Sequence, residues 1–169
     1  MRLSKSKKVA LLSAFSAAAV IFSYAEAVLP FSVLPIAGFR LGFSNIAVLC
    51  VLYLFGGREA ISVMAIRTAI NSLLFTGLLS MTLSLSGGIL SLITMILLKK
   101  CGKFSIVGIS VAGATMHNIG QILAASLILQ DISVVSYIPV LMVLSIVCGS
   151  LIGIVSMLIL KILKNSKQF

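Results

Sequence analysis

The chain has 169 residues, of which 60% are hydrophobic and only 9% are charged, and its formal net charge is +10. A soluble domain of this length carries far more surface charge, so the composition places the chain among membrane proteins. The basic excess does not indicate a nucleic acid partner, because the basic residues cluster at the ends of apolar runs, where membrane topology favours them.

Six apolar segments are predicted to span the membrane. They cover residues 9–29, 39–55, 60–78, 83–98, 105–129 and 138–160. The first could be mistaken for a signal peptide, because a basic start precedes it and Ala25-Glu26-Ala27 resembles a cleavage site. Its apolar run is long enough to cross a bilayer, so we expect a retained helix. The predicted fold is an all-α integral membrane protein in which short loops join antiparallel helices.

The basic residues also predict the orientation. With the N-terminus in the cytoplasm, all Lys and Arg residues except Arg40 and Arg67 fall in cytoplasmic segments or at their edges. The reverse orientation would place those charges outside, against the positive-inside rule. We therefore expect a multi-pass protein of a bacterial plasma membrane, with both termini cytoplasmic.

Small residues and cysteines are interpreted as packing elements. Ala10, Ala14 and Ala18 form a small-residue face on the first helix, a pattern that lets helices approach closely and that is a candidate docking face for a partner subunit. The pairs Gly108-Ala112 and Gly149-Gly153 predict packing within the bundle. Cys50, Cys101 and Cys148 match no metal motif and are expected to be reduced, and no metal or cofactor is predicted.

Polar residues inside the spans are the candidate functional residues. A charged side chain at mid-membrane costs at least ~2.5–3.5 kcal/mol on insertion scales, and such residues usually face the bundle interior and mark a site. The candidates on the second, third and fifth spans are Arg40, Asn45, Arg67, Asn71, His117, Asn118 and Gln121. They lie in the middle and outer half of the membrane, so a site made of them would open outward.

The stretch SLSGG, Ser84 to Gly88, adds a second kind of candidate. Two adjacent glycines weaken a helix, and Ser84 and Ser86 offer capping hydroxyls, so the fourth helix is predicted to start here. Its exposed backbone donors, with those of Gly87, would then favour an anion. Together with the arginines, this predicts a small anionic ligand.

A purely structural interpretation also accounts for each residue taken singly. In this interpretation Arg67 pairs with Glu26, and His117 and Gln121 satisfy backbone carbonyls, because polar pairs join helices inside membranes at ~0.6 kcal/mol each. Glu59 is interpreted as a charge at a helix start and Asp131 as a solvated loop residue. The number of such residues on four helices favours a site for the set.

Four stretches carry a resemblance to a known family. They are EAVLP, PIAGFRLGFSNIAVL, SLSGGILSLITM and GISVAGATMHNIGQILAA, and they span most of the chain from Glu26 to Ala125. Together they resemble the Gx transporter family, also called heptaprenyl diphosphate synthase component I. One departure is visible, because RLGFSN stands where the family pattern is closer to KLGLAN. Arg40 keeps the positive charge but not lysine chemistry.

The resemblance implies a fold and a set of partners. The family is similar to the S-components of energy-coupling factor (ECF) transporters, which are six-helix substrate-binding proteins with both termini inside. It implies that a transmembrane coupling subunit docks on Ala10, Ala14 and Ala18, and that two ABC ATPases supply the energy.

Three functional hypotheses stay open at this point. The first is an S-component-type subunit that captures a small anionic nutrient or cofactor precursor. The second is a non-catalytic membrane partner of a prenyl diphosphate synthase, and the third is a stand-alone facilitator. Catalysis of prenyl transfer is not expected, because the chain has three acidic residues and no acidic pair to hold Mg²⁺. It also has no Walker A motif with which to power transport itself.

Overall fold

The computed structural model describes residues 4–28 and 42–165, which form helices and short turns with no strand among them. The α-helices are α1 (Lys5–Val28), α2 (Asn45–Leu54), α3 (Gly57–Asn71), α4 (Gly77–Cys101), α5 (Ile106–Leu129) and α6 (Ile138–Asn165). A π-helix covers Ser72–Thr76 and a 3-10 helix covers Ile132–Tyr137.

Four helical segments of the described residues are long and apolar enough to cross a membrane. They are Lys5–Glu26, Gly57–Cys101, Ile106–Leu129 and Ile132–Asn165, while Asn45–Leu54 is shorter. The prediction of an all-helical membrane protein is confirmed at this level. The count of six spans and the orientation of the termini stay predictions, and the start of the predicted second span lies outside the described residues.

The 45-residue segment Gly57–Cys101 is folded back on itself. Gly77, with φ +76°, separates the π-helix from α4 in a backbone conformation that favours glycine. A Cβ on Gly57 would lie 3.0 Å from Ile96 Cδ1, and one on Gly88 would lie 3.1 Å from Met64 Sδ. These contacts pair the start of α3 with the end of α4, so the two helices form an antiparallel hairpin.

The ends of α4 and α5 follow local capping rules. Lys99 and Lys100 occupy the last turn of α4, where cations offset the helix dipole, and Gly102 ends it in the left-handed region with φ +68°. Ser105 caps α5, because its hydroxyl accepts a hydrogen bond from the Gly108 amide at 3.1 Å. The predicted fifth span, 105–129, therefore matches α5 closely.

Helix α2 lies at the centre of the bundle. All of its residues from Asn45 to Leu52 are buried, and it packs against α1, α3 and α6. The Ser156 hydroxyl on α6 donates to the Ile46 carbonyl of α2 at 3.5 Å. A helix that is apolar on all sides is expected in such a position.

Glycines bring α4, α5 and α6 into backbone contact. A Cβ on Gly120 of α5 would lie 2.8 Å from both Gly87 Cα and the Ser86 carbonyl oxygen of α4. A Cβ on Gly149 or Gly153 of α6 would lie 2.7 Å from a Cα atom of α5. The packing role predicted for Gly149-Gly153 is confirmed. The same role predicted for Gly108 is wrong, because a Cβ there would meet only the Ser105 hydroxyl of its own cap.

The prediction that the fourth helix starts at SLSGG is also wrong. Helix α4 begins at Gly77 and runs without interruption through Ser84, Ser86 and Gly87, so the backbone amides there are not exposed helix-terminal donors. The Ser86 hydroxyl donates to the Leu83 carbonyl of its own helix at 2.9 Å instead of capping a terminus. Gly87 is small because α5 lies directly against it, and glycine serves close packing here, not a helix break.

Helix α1 is the most exposed of the membrane-length helices. It runs parallel to α3, because Lys8 forms an ion pair with Glu59 near one end and the Tyr24 ring lies 4.6 Å from the Phe75 ring near the other. Ala10 and Ala14 are exposed and Ala18 is half-buried. The docking role predicted for these three alanines stays a prediction.

We expect Gly120→Ala to destabilise the bundle by ~1–3 kcal/mol, because its Cβ has no room against the α4 backbone. Gly108→Ala on the same helix is the matched control, and it should be neutral or stabilising by up to ~1 kcal/mol because its Cβ would approach only the Ser105 hydroxyl, at 3.4 Å, and no neighbouring helix. Thermal unfolding of both variants in detergent measures the difference. Equal stabilities would mean that α4 and α5 are not in backbone contact.

Candidate functional site

The candidate site is centred on Arg67 of α3, which is only 4% exposed. Its guanidinium donates one hydrogen bond to the Ser44 hydroxyl, just before α2, and another to Asn45 Oδ1 at 3.0 Å. The planar guanidinium suits this arrangement, because its donors are held in a fixed fork. Arg67 thus joins α3 to the start of α2. Through its guanidinium it directly contacts one of the predicted site residues, Asn45.

His117 of α5 lies beside two glycines, Gly42 and Gly87, which bring it close to other residues of the site. A Cβ on Gly42 would lie 3.0 Å from Asn45 Nδ2 and 3.7 Å from His117 Cδ2, so both side chains flank the same glycine. On its other side, His117 Nδ1 lies 3.0 Å from the place where a Gly87 Cβ would be. The structure therefore brings together the predicted residues Asn45, Arg67, Gly87 and His117, from four different helices.

Gln121 lies one helical turn beyond His117 and also faces α4. Its Cγ is 2.9 Å from the position of a Gly87 Cβ, and the residue is completely buried. Neither its amide nitrogen nor its amide oxygen has a hydrogen-bond partner in the part of the chain that the structure describes. A buried polar group without a partner costs ~1–3 kcal/mol, so this side chain is destabilising as it stands.

Asn71 of α3 shows a milder version of the same pattern. Its amide nitrogen donates to the Arg67 carbonyl at 3.0 Å, but its Oδ1 has no partner among the described residues. The π-helix begins at the next residue, Ser72, and π segments within helices often occur at functional sites.

Further hydroxyls without partners line the same helices. Within the described ranges they belong to Thr68, Ser72, Ser80, Ser84, Ser91 and Ser110. Of these, only Ser84 is among the sequence-predicted site residues. On α4, small or polar residues recur at helical spacing and share one face: Ser80, Ser84, Gly87 and Ser91. This spacing in the sequence could have identified Ser80 and Ser91 as site residues. Ser44 was missed because it precedes α2 and has no such period.

A narrow gap lies beside the cluster. Its lining includes Asn45, Ser91, Ser110, Ala114 and Ile152, and it has no room for a water molecule. Asn45, Ser91 and Ser110 are therefore not separated from one another by solvent at this gap.

Asn118 is directed away from this cluster. Its amide nitrogen donates to Ser145 Oγ at 2.8 Å and to the Leu141 carbonyl at 3.3 Å, both on α6. Ser86 is also apart, since its hydroxyl bonds within α4. Arg40, the remaining predicted site residue, lies outside the described residues.

The three acidic residues have other contacts. Glu26 Oε1 accepts from the Phe43 amide at 2.7 Å, and Glu59 pairs with Lys8. Asp131 is exposed, and hydrogen bonding by Ser133 lowers the pKa of its carboxyl group. Among the described residues, no three His, Cys, Asp or Glu side chains lie close enough to hold a metal ion.

The arrangement suits the binding of an anion. It offers a buried guanidinium bound to Asn45, an imidazole that flanks the same glycine as Asn45, and amide and hydroxyl groups on α3, α4 and α5 that have no partners among the described residues. Donors fixed in a dry interior interact more strongly with charge than the same donors in water.

We expect Asn118→Ala and Ser145→Ala to loosen the contact between α5 and α6. A double-mutant cycle on unfolding in bicelles should give a coupling of ~0.6 kcal/mol, and no more than ~1.7 kcal/mol, as for other hydrogen bonds between membrane helices. Thr115→Ala, whose hydroxyl bonds within its own helix at 3.0 Å, is the control and should show no coupling to Ser145. A zero value for Asn118 and Ser145 would contradict their contact.

Comparison with known proteins gives one match. The model of the family described as heptaprenyl diphosphate synthase component I matches residues 15–159. No curated protein and no solved structure matches the chain. The matched region includes the described residues of the cluster on α2, α3, α4 and α5, and it confirms the resemblance noted in the sequence. The chain belongs to the heptaprenyl diphosphate synthase component I family.

Proposed function

We propose that the chain is a non-catalytic membrane subunit that binds a small anionic ligand at the cluster around Arg67, and that it serves as the substrate-binding subunit of an energy-coupled importer. One observation carries the proposal. Buried polar atoms of Asn71, Ser84 and Gln121 have no partners among the described residues. Asn71 shares α3 with the buried Arg67, and Gln121 shares α5 with the buried His117. A ligand with hydrogen-bonding groups would satisfy them and repay their cost.

The residue inventory supports binding over catalysis. The chain has three acidic residues, and the structure shows Glu26 bound to the Phe43 amide, Glu59 to Lys8 and Asp131 to the Ser133 amide. A multi-carboxylate Mg²⁺ site for diphosphate chemistry needs more acidic ligands than these. Transport against a gradient would need partner ATPases, because the sequence has no Walker A motif.

The exposed face of α1 supports a docking role for a coupling subunit. Ala10 and Ala14 are exposed and one turn apart, and small residues at this spacing allow another helix to approach closely. This face lies on the helix that packs least against the rest of the bundle.

The family match favours a second role more directly than it favours transport. In that role the chain is the membrane partner of a prenyl diphosphate synthase and either anchors the soluble enzyme or receives its product. The exposed basic residues near helix ends, such as Lys100 and Lys164, offer a docking surface for an acidic enzyme.

Replacing Gln121 separates ligand binding from folding. Since its amide atoms have no partner among residues 4–28 and 42–165, we expect Gln121→Leu to leave the unliganded protein equally or more stable but to weaken ligand binding at least tenfold. Asn118→Leu should do the reverse, because its hydrogen bonds join α5 to α6. Thermal shifts with a panel of anionic vitamins, flavins, quinone precursors and isoprenoid phosphates measure both effects, and a ligand at 100 times Kd should add ~2.7 kcal/mol.

Two results would contradict ligand binding at the cluster. One is the absence of stabilisation by any anion in the panel. The other is a loss of unliganded stability in Gln121→Leu as large as that in Asn118→Leu, which would make Gln121 a packing residue.

Co-purification distinguishes the two roles. If the chain is an importer subunit, a coupling protein and ATPases should co-purify, and Ala10→Leu with Ala14→Leu should remove them. If it is a synthase partner, a soluble prenyl diphosphate synthase should co-purify and should dissociate on Lys100→Gln with Lys164→Gln, which are both exposed. Transport by liposomes that contain this chain alone would contradict both roles and identify a stand-alone facilitator.

A further inference from the structure

A second candidate site lies between α1 and α3, away from the polar cluster. It is a groove of about 590 Å³ on the outer surface of the bundle. Its lining is almost entirely apolar and includes Leu12, Ser16, Val20, Val63, Ile66 and Ile70. The stretch of α1 that it follows, Val9 to Ile21, is about 18 Å long at 1.5 Å per residue.

Both walls of the groove continue into cations at the same end. On α1, Lys5 and Lys8 stand four residues before Val9 and Leu12, and on α3, Arg58 stands four residues before Ser62. Residues four apart lie on one face of a helix. Since α1 and α3 are parallel, with Lys8 beside Glu59 and Tyr24 beside Phe75, these cations meet at one mouth of the groove.

The cations at this mouth differ in their contacts. Lys8 is paired with Glu59, which holds the two helices together at this end. Lys5 and Arg58 are both exposed. Their charges are therefore accessible at the same end of the groove as its apolar walls.

We infer that this groove binds a phospholipid with an anionic headgroup, whose chain lies along Leu12, Val20 and Ile66 and whose phosphate lies at Lys5 and Arg58. The groove and such a lipid match along their length, because an apolar groove about 18 Å long suits an acyl chain and its two cations suit the anionic headgroup. A zwitterionic lipid would fill the groove, but its positively charged choline group would offset the attraction between its phosphate and these cations. Basic residues near a membrane surface attract anionic lipid headgroups. The inference is independent of the ligand proposed for the polar cluster.

Native mass spectrometry of the full chain tests the headgroup. The protein is released from nanodiscs that contain equal amounts of phosphatidylglycerol and phosphatidylcholine. We expect one retained phosphatidylglycerol and no equivalent retention of phosphatidylcholine. Lys5→Gln with Arg58→Gln should weaken retention about 25-fold, at about fivefold for each charge removed near the surface.

The matched control is Lys100→Gln with Lys161→Gln, which removes the same net charge from exposed positions outside the groove. It should leave retention unchanged. If it lowers retention as much as the groove variant, or if phosphatidylcholine is retained equally, net charge or simple shape explains the lipid and the inference is overturned.

Filling the groove with bulky side chains tests whether the acyl chain of the lipid lies there. Ser16→Phe with Ala17→Phe should abolish retention, whereas Val147→Phe, on the exposed face of α6, should not. Retention by the filled variant would overturn the inference. So would a filled variant that keeps phosphatidylglycerol but loses a co-purifying membrane protein, because the groove would then be a helix-docking site.

Discussion

The backbone contact between Gly87 and Gly120 is the constraint on which the interior of this protein depends. Between membrane helices there is no hydrophobic driving force, since lipid is as apolar as a leucine side chain, and association comes from close packing and hydrogen bonds. Where a Cβ on Gly120 would lie 2.8 Å from the α4 backbone, α4 and α5 are as close as two helices can be. His117 and Gln121 lie on the same face of α5, and so they are pressed against α4 without intervening solvent.

The same closeness explains why the interior holds so many polar atoms without partners. Neighbouring small residues, Ser84 and Ser91 on α4 and Ser110 on α5, have short side chains that permit close approach. However, each buried hydroxyl or amide without a partner costs free energy, and an alanine would pack as well without that cost. Packing alone therefore does not explain these groups, and this is the observation from which the proposed binding role starts.

Much of the fold could be predicted from the sequence, because the signals were local. Helices α5 and α6 begin near Ser105 and Ile138 as predicted, since long apolar runs and capping residues bound them. The predictions that were wrong concern glycine, because this residue type can serve two structural purposes. Gly87-Gly88 was interpreted as a helix break, but a glycine that breaks a helix and one that admits a neighbouring helix are the same in sequence. Gly108 was wrongly paired with a neighbouring helix for the same reason.

The candidate site was predicted in composition but not in arrangement. Intramembrane polarity alone identified Asn45, Arg67, His117 and Gln121, since the bilayer disfavours such groups wherever they occur. Their contacts depend on tertiary structure. Asn118 is adjacent to His117 in sequence, yet the 100° rotation between successive helical residues directs it to Ser145 on α6. Whether a hydroxyl forms a hydrogen bond to another helix also depends on the distance between the two helices. That distance cannot be read from the sequence of either helix alone.

A short path of contacts joins the exposed helix to the buried arginine. Near the end of α1, Glu26 Oε1 accepts a hydrogen bond from the Phe43 amide. The next residue, Ser44, accepts one from Arg67. A partner that displaces α1 must therefore either break the bond to Phe43 or move the start of α2, and moving the start of α2 changes the position of both neutral acceptors of the guanidinium. Because charge in a dry interior is sensitive to small changes in distance, such a shift would alter the affinity of the cluster for an anion. Under the proposed function, linkage then requires that an anion bound at Arg67 alter the affinity of α1 for a coupling subunit by the same factor.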